Sequence, residues 1–136
     1  MTENRKMADV WGTGNTPDVS GKSLVTYGTY LKQHLASPLR VQASEEFDWE
    51  EPYLLSGLDS PEYKALRADQ PSHLDVFMLT AIPDIPDAAS GLLAEVRREG
   101  DEKQFVVPLH LIEAIDPKSS DFEVLKEYTI WFLMYG

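Results

Sequence analysis

Leu24, Tyr27, Leu31 and Leu35 recur at three- and four-residue spacing, which places them on one face of a helix over 24–35. Gly28 weakens that helix, and Pro38 ends it and pushes Ser37 towards extended backbone. After the proline the period changes to two. Leu39, Val41 and Ala43 share one face, as in a half-buried strand. The alternation runs on through Glu45, Phe47, Trp49 and Glu51 on one side and Glu46, Asp48 and Glu50 on the other. This predicts a long strand that Pro52 bends or interrupts.

Ser60-Pro61-Glu62 predicts a helix start: a capping serine, proline at the first helical position and an early acid favourable to the dipole. That helix should run to about Asp69, with Tyr63 and Leu66 as its apolar stripe and Pro71 behind it. Residues 75–82 form an apolar strand, and 83–87 a loop with two prolines. Residues 92–98 alternate, with Leu92, Ala94 and Val96 set outward against Leu93, Glu95 and Arg97, although either face could be the inner one. Glu99-Gly100-Asp101 reads as a hairpin turn into a returning strand at 103–107. Residues 109–115 suit a short strand or one helical turn. Ser120-Asp121-Phe122-Glu123 reads as a capping box, opening a helix with Phe122, Leu125, Thr129, Phe132 and Leu133 at helical spacing and Tyr128 and Trp131 alongside, whose aromatic residues are expected in the core.

The order is helix, strand, helix, several hairpin-linked strands, helix. It predicts an α+β fold: a small antiparallel sheet or partly closed barrel with two or three flanking helices. Residues 1–22 have no apolar period and are expected as a flexible arm, leaving 23–136 as a single domain. Gly12-Thr13-Gly14 lacks a preceding strand and is not a nucleotide motif.

Charge changes the picture. The net charge is −11, yet residues 1–40 hold five basic residues against three acids, so residues 41–136 hold seven against twenty. Such a surface repels phosphate backbones and anionic membranes and attracts cations and basic partners, so neither nucleic acid nor membrane is expected as a partner. No apolar run approaches the roughly 20 residues of a membrane helix, and the polar start is not a secretory signal. The chain has no cysteine, which removes disulfides and thiolate metal sites and fits a reducing cytoplasm. His34, His73 and His110 lack zinc-site spacing, and although Ser37 and Ser72 accompany two of them, no nucleophile signature is present. The expectation is a protein that is not an enzyme.

The densest feature is Glu45-Glu46-Phe47-Asp48-Trp49-Glu50-Glu51, with five carboxylates in seven residues. On a strand, Glu46, Asp48 and Glu50 would project together about 6.6–6.8 Å apart. Such neighbours repel unless a cation lies among them. Calcium takes six to eight oxygen ligands, so loop acids would have to help: Asp84 and Asp87, or Glu99, Asp101 and Glu102. The same alternation also describes an ordinary strand with one wet face. No EF-hand loop is present.

Several ordered segments resemble the CcbP-type calcium-binding proteins: Tyr30-Leu31, Leu35-Ala36-Ser37-Pro38-Leu39, Val76-Phe77-Met78-Leu79, Phe105-Val106-Val107-Pro108-Leu109 with Leu111-Ile112-Glu113, and Tyr128-Thr129-Ile130-Trp131-Phe132. They span about residues 27–135. The resemblance implies a small acidic cytoplasmic protein that binds calcium through surface carboxylates without EF-hands. It aligns Glu113 and Glu127 with acids of that family, whereas Arg40 stands where the family shows an acid. The expected ligand set is Glu45, Glu46, Asp48, Glu50, Glu113 and Asp101, with a calcium ion as the bound species. The alternative is an acidic interaction module, of the immunity or anti-defence kind, docking on a basic protein partner.

Overall fold

A computed structural model describes residues 10, 11, 16–55 and 57–136. Among the described residues, three helices and five strands carry the fold: α1 (Gly21–His34), β1 (Leu39–Ala43), α2 (Pro61–Arg67), β2 (Val76–Ala81), β3 (Leu93–Arg98), β4 (Gln104–Pro108), β5 (Ile112–Ala114) and α3 (Ser120–Tyr135). Short 3-10 helices occupy Asp48–Tyr53 and Leu109–Leu111. The sheet is antiparallel throughout, in the order β4-β3-β2-β1-β5, and it is open, so the barrel alternative is not the one adopted.

One face of the sheet is buried. Val41, Phe77, Leu79, Ala94, Val96 and Val107 lie under Leu24, Tyr27 and Leu31 of α1 and Leu125, Tyr128 and Trp131 of α3. Leu92, just before β3, and Ala94 and Val96 within it are thus the inward set, which decides the face that the alternation left open. The alternation itself holds, but a polar residue every second position does not say which side a helix will cover. The other face carries Arg40, Met78, Glu95, Arg97, Gln104 and Val106 and has no covering element among the described residues.

Local signals act where their chemistry requires. Ser20 caps α1, Ser60 caps α2 with Pro61 behind it, and Ser119 caps α3 by accepting from the Phe122 amide at 3.1 Å. The last cap falls one residue before the serine that the sequence pattern favours. Residues 109–115 hold both alternatives, a helical turn and then a strand. Within the stretch expected as an arm, residues 1–9 and 12–15, including the Gly12-Thr13-Gly14 motif, lie outside the described residues. Of the rest, Val10, Trp11 and Val19 pack against the core. Trp11 sits 5.5 Å from Tyr27 and 5.3 Å from Trp131 between ring centroids, and the Trp131 indole donates to the Pro17 carbonyl at 3.0 Å.

Gly91 shows how closely α3 meets the sheet. Its φ is +74°, and an added Cβ would lie 2.5 Å from Phe132 Cε1 and 2.8 Å from the Tyr128 hydroxyl. That hydroxyl accepts the Leu92 amide at 2.9 Å. Gly91→Ala combines left-handed strain with overpacking, and is expected to cost about 2–4 kcal/mol. Thermal unfolding should show a clear fall in Tm, while Gly21→Ala, with nothing within 4 Å, should not. Among the described residues no helix is long and apolar enough to cross a membrane.

Candidate functional site

The acidic segment departs from the expected strand. β1 ends at Ala43, and Asp48–Tyr53 winds into a 3-10 helix with the Glu50 amide donating to the Phe47 carbonyl at 2.9 Å. The period becomes three. Phe47 and Glu50 turn inward while Asp48 and Glu51 face solvent with Glu45 and Glu46. The three-carboxylate row of Glu46, Asp48 and Glu50 therefore does not exist.

Glu50 is the unexpected member, because its side chain has no solvent exposure. A buried carboxylate is tolerated only when donors replace its water. Here Oε1 accepts from the amides of Phe47 at 3.1 Å and His73 at 2.8 Å. Oε2 accepts from the Tyr63 hydroxyl at 2.5 Å and the Ser72 hydroxyl at 2.8 Å, and lies 2.7 Å from His73 Nδ1. Burial pushes the carboxyl upward, but the bonds from Tyr63, His73, Phe47 and Ser72 outweigh it and hold the group below the usual carboxylate range. Trp49 stacks on Tyr63 at 5.2 Å and its indole donates to the Pro71 carbonyl at 2.6 Å. The cluster clamps the acidic segment to α2 and to residues 71–75. Ser72 is fully buried and its hydroxyl is committed to Glu50, so it is not presented as a nucleophile.

The other expected ligands are dispersed. Glu113 on β5 accepts from the Gln42 amide side chain at 3.1 Å. Asp101, in the β3–β4 turn, binds the Arg98 guanidinium at 2.7 and 3.1 Å, which together with the Lys103 amide depresses its pKa to about 2. The loop acids are engaged in the same way: Asp84 by Lys32, Asp87 by the Ala89 and Ser90 amides, Glu99 by Arg40, and Glu102 by Arg97. Arg40, which stands at an acid position of the resembled family, thus neutralises a neighbouring acid. Glu127 is buried on α3. The histidines lie apart, with His34 stacked on Tyr30, His110 beside Phe132 and His73 on Glu50. Among the described residues, no three His, Asp or Glu side chains are grouped so as to hold a metal ion.

These pairs distribute the charge unevenly. Arg67, Arg97, Arg98 and Lys103 gather around the β3–β4 turn and the end of α2, each bonded to an acid. Glu45, Glu46, Asp48 and Glu51 are exposed and pair with no basic side chain among the described residues. Sequence patterning locates this patch but places Glu50 in it wrongly. The available signal for the buried role is Ser72-His73 following a helical Tyr63, a set of donors otherwise lacking an acceptor. Comparison of the chain with protein-family models, curated proteins and solved structures finds no match, so the motif resemblance stands on its own residues.

Proposed function

We propose that this protein is an interaction module that docks on a basic partner through its acidic surface. The observation that supports this is the uncompensated patch of Glu45, Glu46, Asp48 and Glu51. Among the described residues, six of the ten lysine and arginine side chains are paired with other acids, and the patch is held in place by the buried Glu50. An exposed field of one sign raises association rates with an oppositely charged partner, and salt screens it. Calcium is the competing ligand, implied by the resemblance and by the same four exposed acids. It would need further oxygen ligands beside these four, which do not themselves form a grouped set among the described residues.

The quadruple variant Glu45→Gln, Glu46→Gln, Asp48→Asn, Glu51→Gln separates the two. Partners captured from a native lysate at low salt should be basic, should be lost by this variant, and should be lost by the unaltered protein near about 0.5 M salt. Partners retained equally by the variant would refute docking through this patch. A saturable heat on calcium titration that disappears in the variant would instead establish the cation reading.

A further inference from the structure

The β4 strand closes one end of the sheet, and its outer side is open. Two bonds set the phase of its ladder with β3: Arg98 N to Lys103 O at 2.8 Å and Leu109 N to Leu92 O at 2.9 Å. In antiparallel pairing, bonded and non-bonded positions alternate, so Phe105 and Val107 also bond inward to Val96 and Ala94. Gln104 and Val106 then direct both their N–H and C=O groups away from the sheet, and no described residue takes them up. Pro108 has no N–H and ends the donor row. Sheet edges are ordinarily protected by charge, by a bulge or by a covering element. This strand, Gln104-Phe105-Val106-Val107-Pro108, contains no charged residue in a chain of net charge −11, and its Val106 is 60% exposed.

The two sides of this edge differ chemically. Phe105 and Val107 belong to the buried face, with Phe105 only half-buried where the sheet stops. On the open face Val106 is paired with Glu95, whose exposed carboxylate has no partner among the described residues. Thr80, Glu95 and Val106 line a shallow groove of about 220 Å³ there. A strand added beside β4 would place apolar side chains next to Phe105 and basic side chains next to Val106, on the face that carries Glu95 one strand further in. A second copy of this chain brings a second large negative charge to the edge, so mutual repulsion favours a basic occupant over self-pairing.

We infer that β4 is a strand-addition site, which takes an extended segment of alternating basic and apolar residues from a protein partner. It rests on the proposed docking only for the basic character of the partner: the edge is separated by β3 and β2 from β1, which leads into the acidic patch, and is a second contact surface. The geometry makes a specific demand. Residues of the added strand opposite Gln104 and Val106 form bonded pairs, so their side chains share the open face with Val106. The basic residues are therefore the ones whose amides point at β4.

The test uses the full chain and a synthetic acetylated, amidated peptide of alternating lysine and valine, seven residues with lysine at both ends. Two isomers carry N-methyl groups, one on the lysine amides and one on the valine amides. At low salt the parent peptide and the N-methyl-valine isomer should bind alike. The N-methyl-lysine isomer should bind about tenfold more weakly or worse, as expected for losing two or more backbone bonds. Val106→Pro, which removes an amide not used within the fold, should weaken the parent peptide similarly while circular dichroism stays unchanged. Equal binding of all three peptides would leave acidic docking standing and overturn strand addition. No binding by any of them would likewise overturn strand addition, with docking through the acidic patch still decided by the quadruple variant. A dimer in sedimentation that Val106→Pro dissolves would make the occupant a second copy and overturn the inference.

Discussion

Glu50→Ala is expected to cost about 3–5 kcal/mol, more than any other change in the acidic segment. The substitution takes away a carboxylate without removing what surrounds it. The Phe47 and His73 amides would be left with no acceptor, and the Tyr63 and Ser72 hydroxyls, 3.0 Å apart, would keep only each other. Each orphaned donor carries its own desolvation cost. Glu50→Gln tests the charge rather than the volume. Its amide NH2 would confront donors on a side where Oε2 accepts from both hydroxyls, so a substantial loss is expected there as well. Chemical denaturation of both variants, beside Glu51→Gln as an exposed control, checks the ranking.

The same group predicts a pH dependence. Glu50 has a folded-state pKa below its ordinary 4.5. The unfolded chain therefore binds the proton more readily than the folded one. The stability that Glu50 contributes is fully present above about 4.5 and is lost as pH falls below that, through the depressed folded value. Acid denaturation of the unaltered protein should be steeper between pH 5 and 3 than that of Glu50→Gln, read by near-UV circular dichroism. Parallel curves would show that the carboxylate carries no linkage.

Glu50 also marks the limit of what the residues alone disclose. Helices and most strands are legible because their signals are local. Ser60-Pro61 starts a helix whatever lies around it, and Leu24, Tyr27 and Leu31 can share a face only on a helix. The stretch from Phe47 to Glu51 carries no such local signal. Apolar and acidic residues alternate there, and a period of two over so few residues is equally consistent with a turn of period three. What decides between them is tertiary: donors from α2 and from residues 71–75 converge on one carboxylate and draw it inward. A glutamate in a polar run carries no mark of being the one that is buried. Glu99, Asp101 and Glu102 show the same difficulty in reverse. They look like free ligands in the sequence, yet Arg40, Arg98 and Arg97 already hold them. The charge pattern discloses the excess of acid. Only the pairing shows where that excess is uncompensated.

Arg98→Met is expected to be nearly as damaging as Glu50→Ala, at about 3–5 kcal/mol, for the opposite electrostatic reason. Arg98 is 6% exposed at the end of β3, on the buried face. Its guanidinium donates to the carbonyls of Arg67, Ala68 and Gln70 at 2.9–3.0 Å, where α2 ends and its last carbonyls have no helical partner. It also bonds Asp75 at 3.1 Å and Asp101 at 2.7 Å, and lies 5.1 Å above the Phe105 ring. One planar cation therefore joins the end of α2, the start of β2 and the β3–β4 turn. Methionine fills much of the volume but strands buried Asp75 with only Arg67 as a cationic partner. Arg98→Lys should rescue little, since one ammonium has three donors and cannot span five acceptors in three directions. Asp101→Asn should cost far less, because that carboxylate is half exposed and water can replace the lost bond. Because Arg98 lies in the strand paired with β4, its loss should also loosen that edge. Hydrogen exchange at the Phe105 and Val107 amides, which bond inward to β3, should then accelerate more than exchange in α3. Uniform acceleration across the chain would show instead that Arg98 supports the whole fold and not this corner.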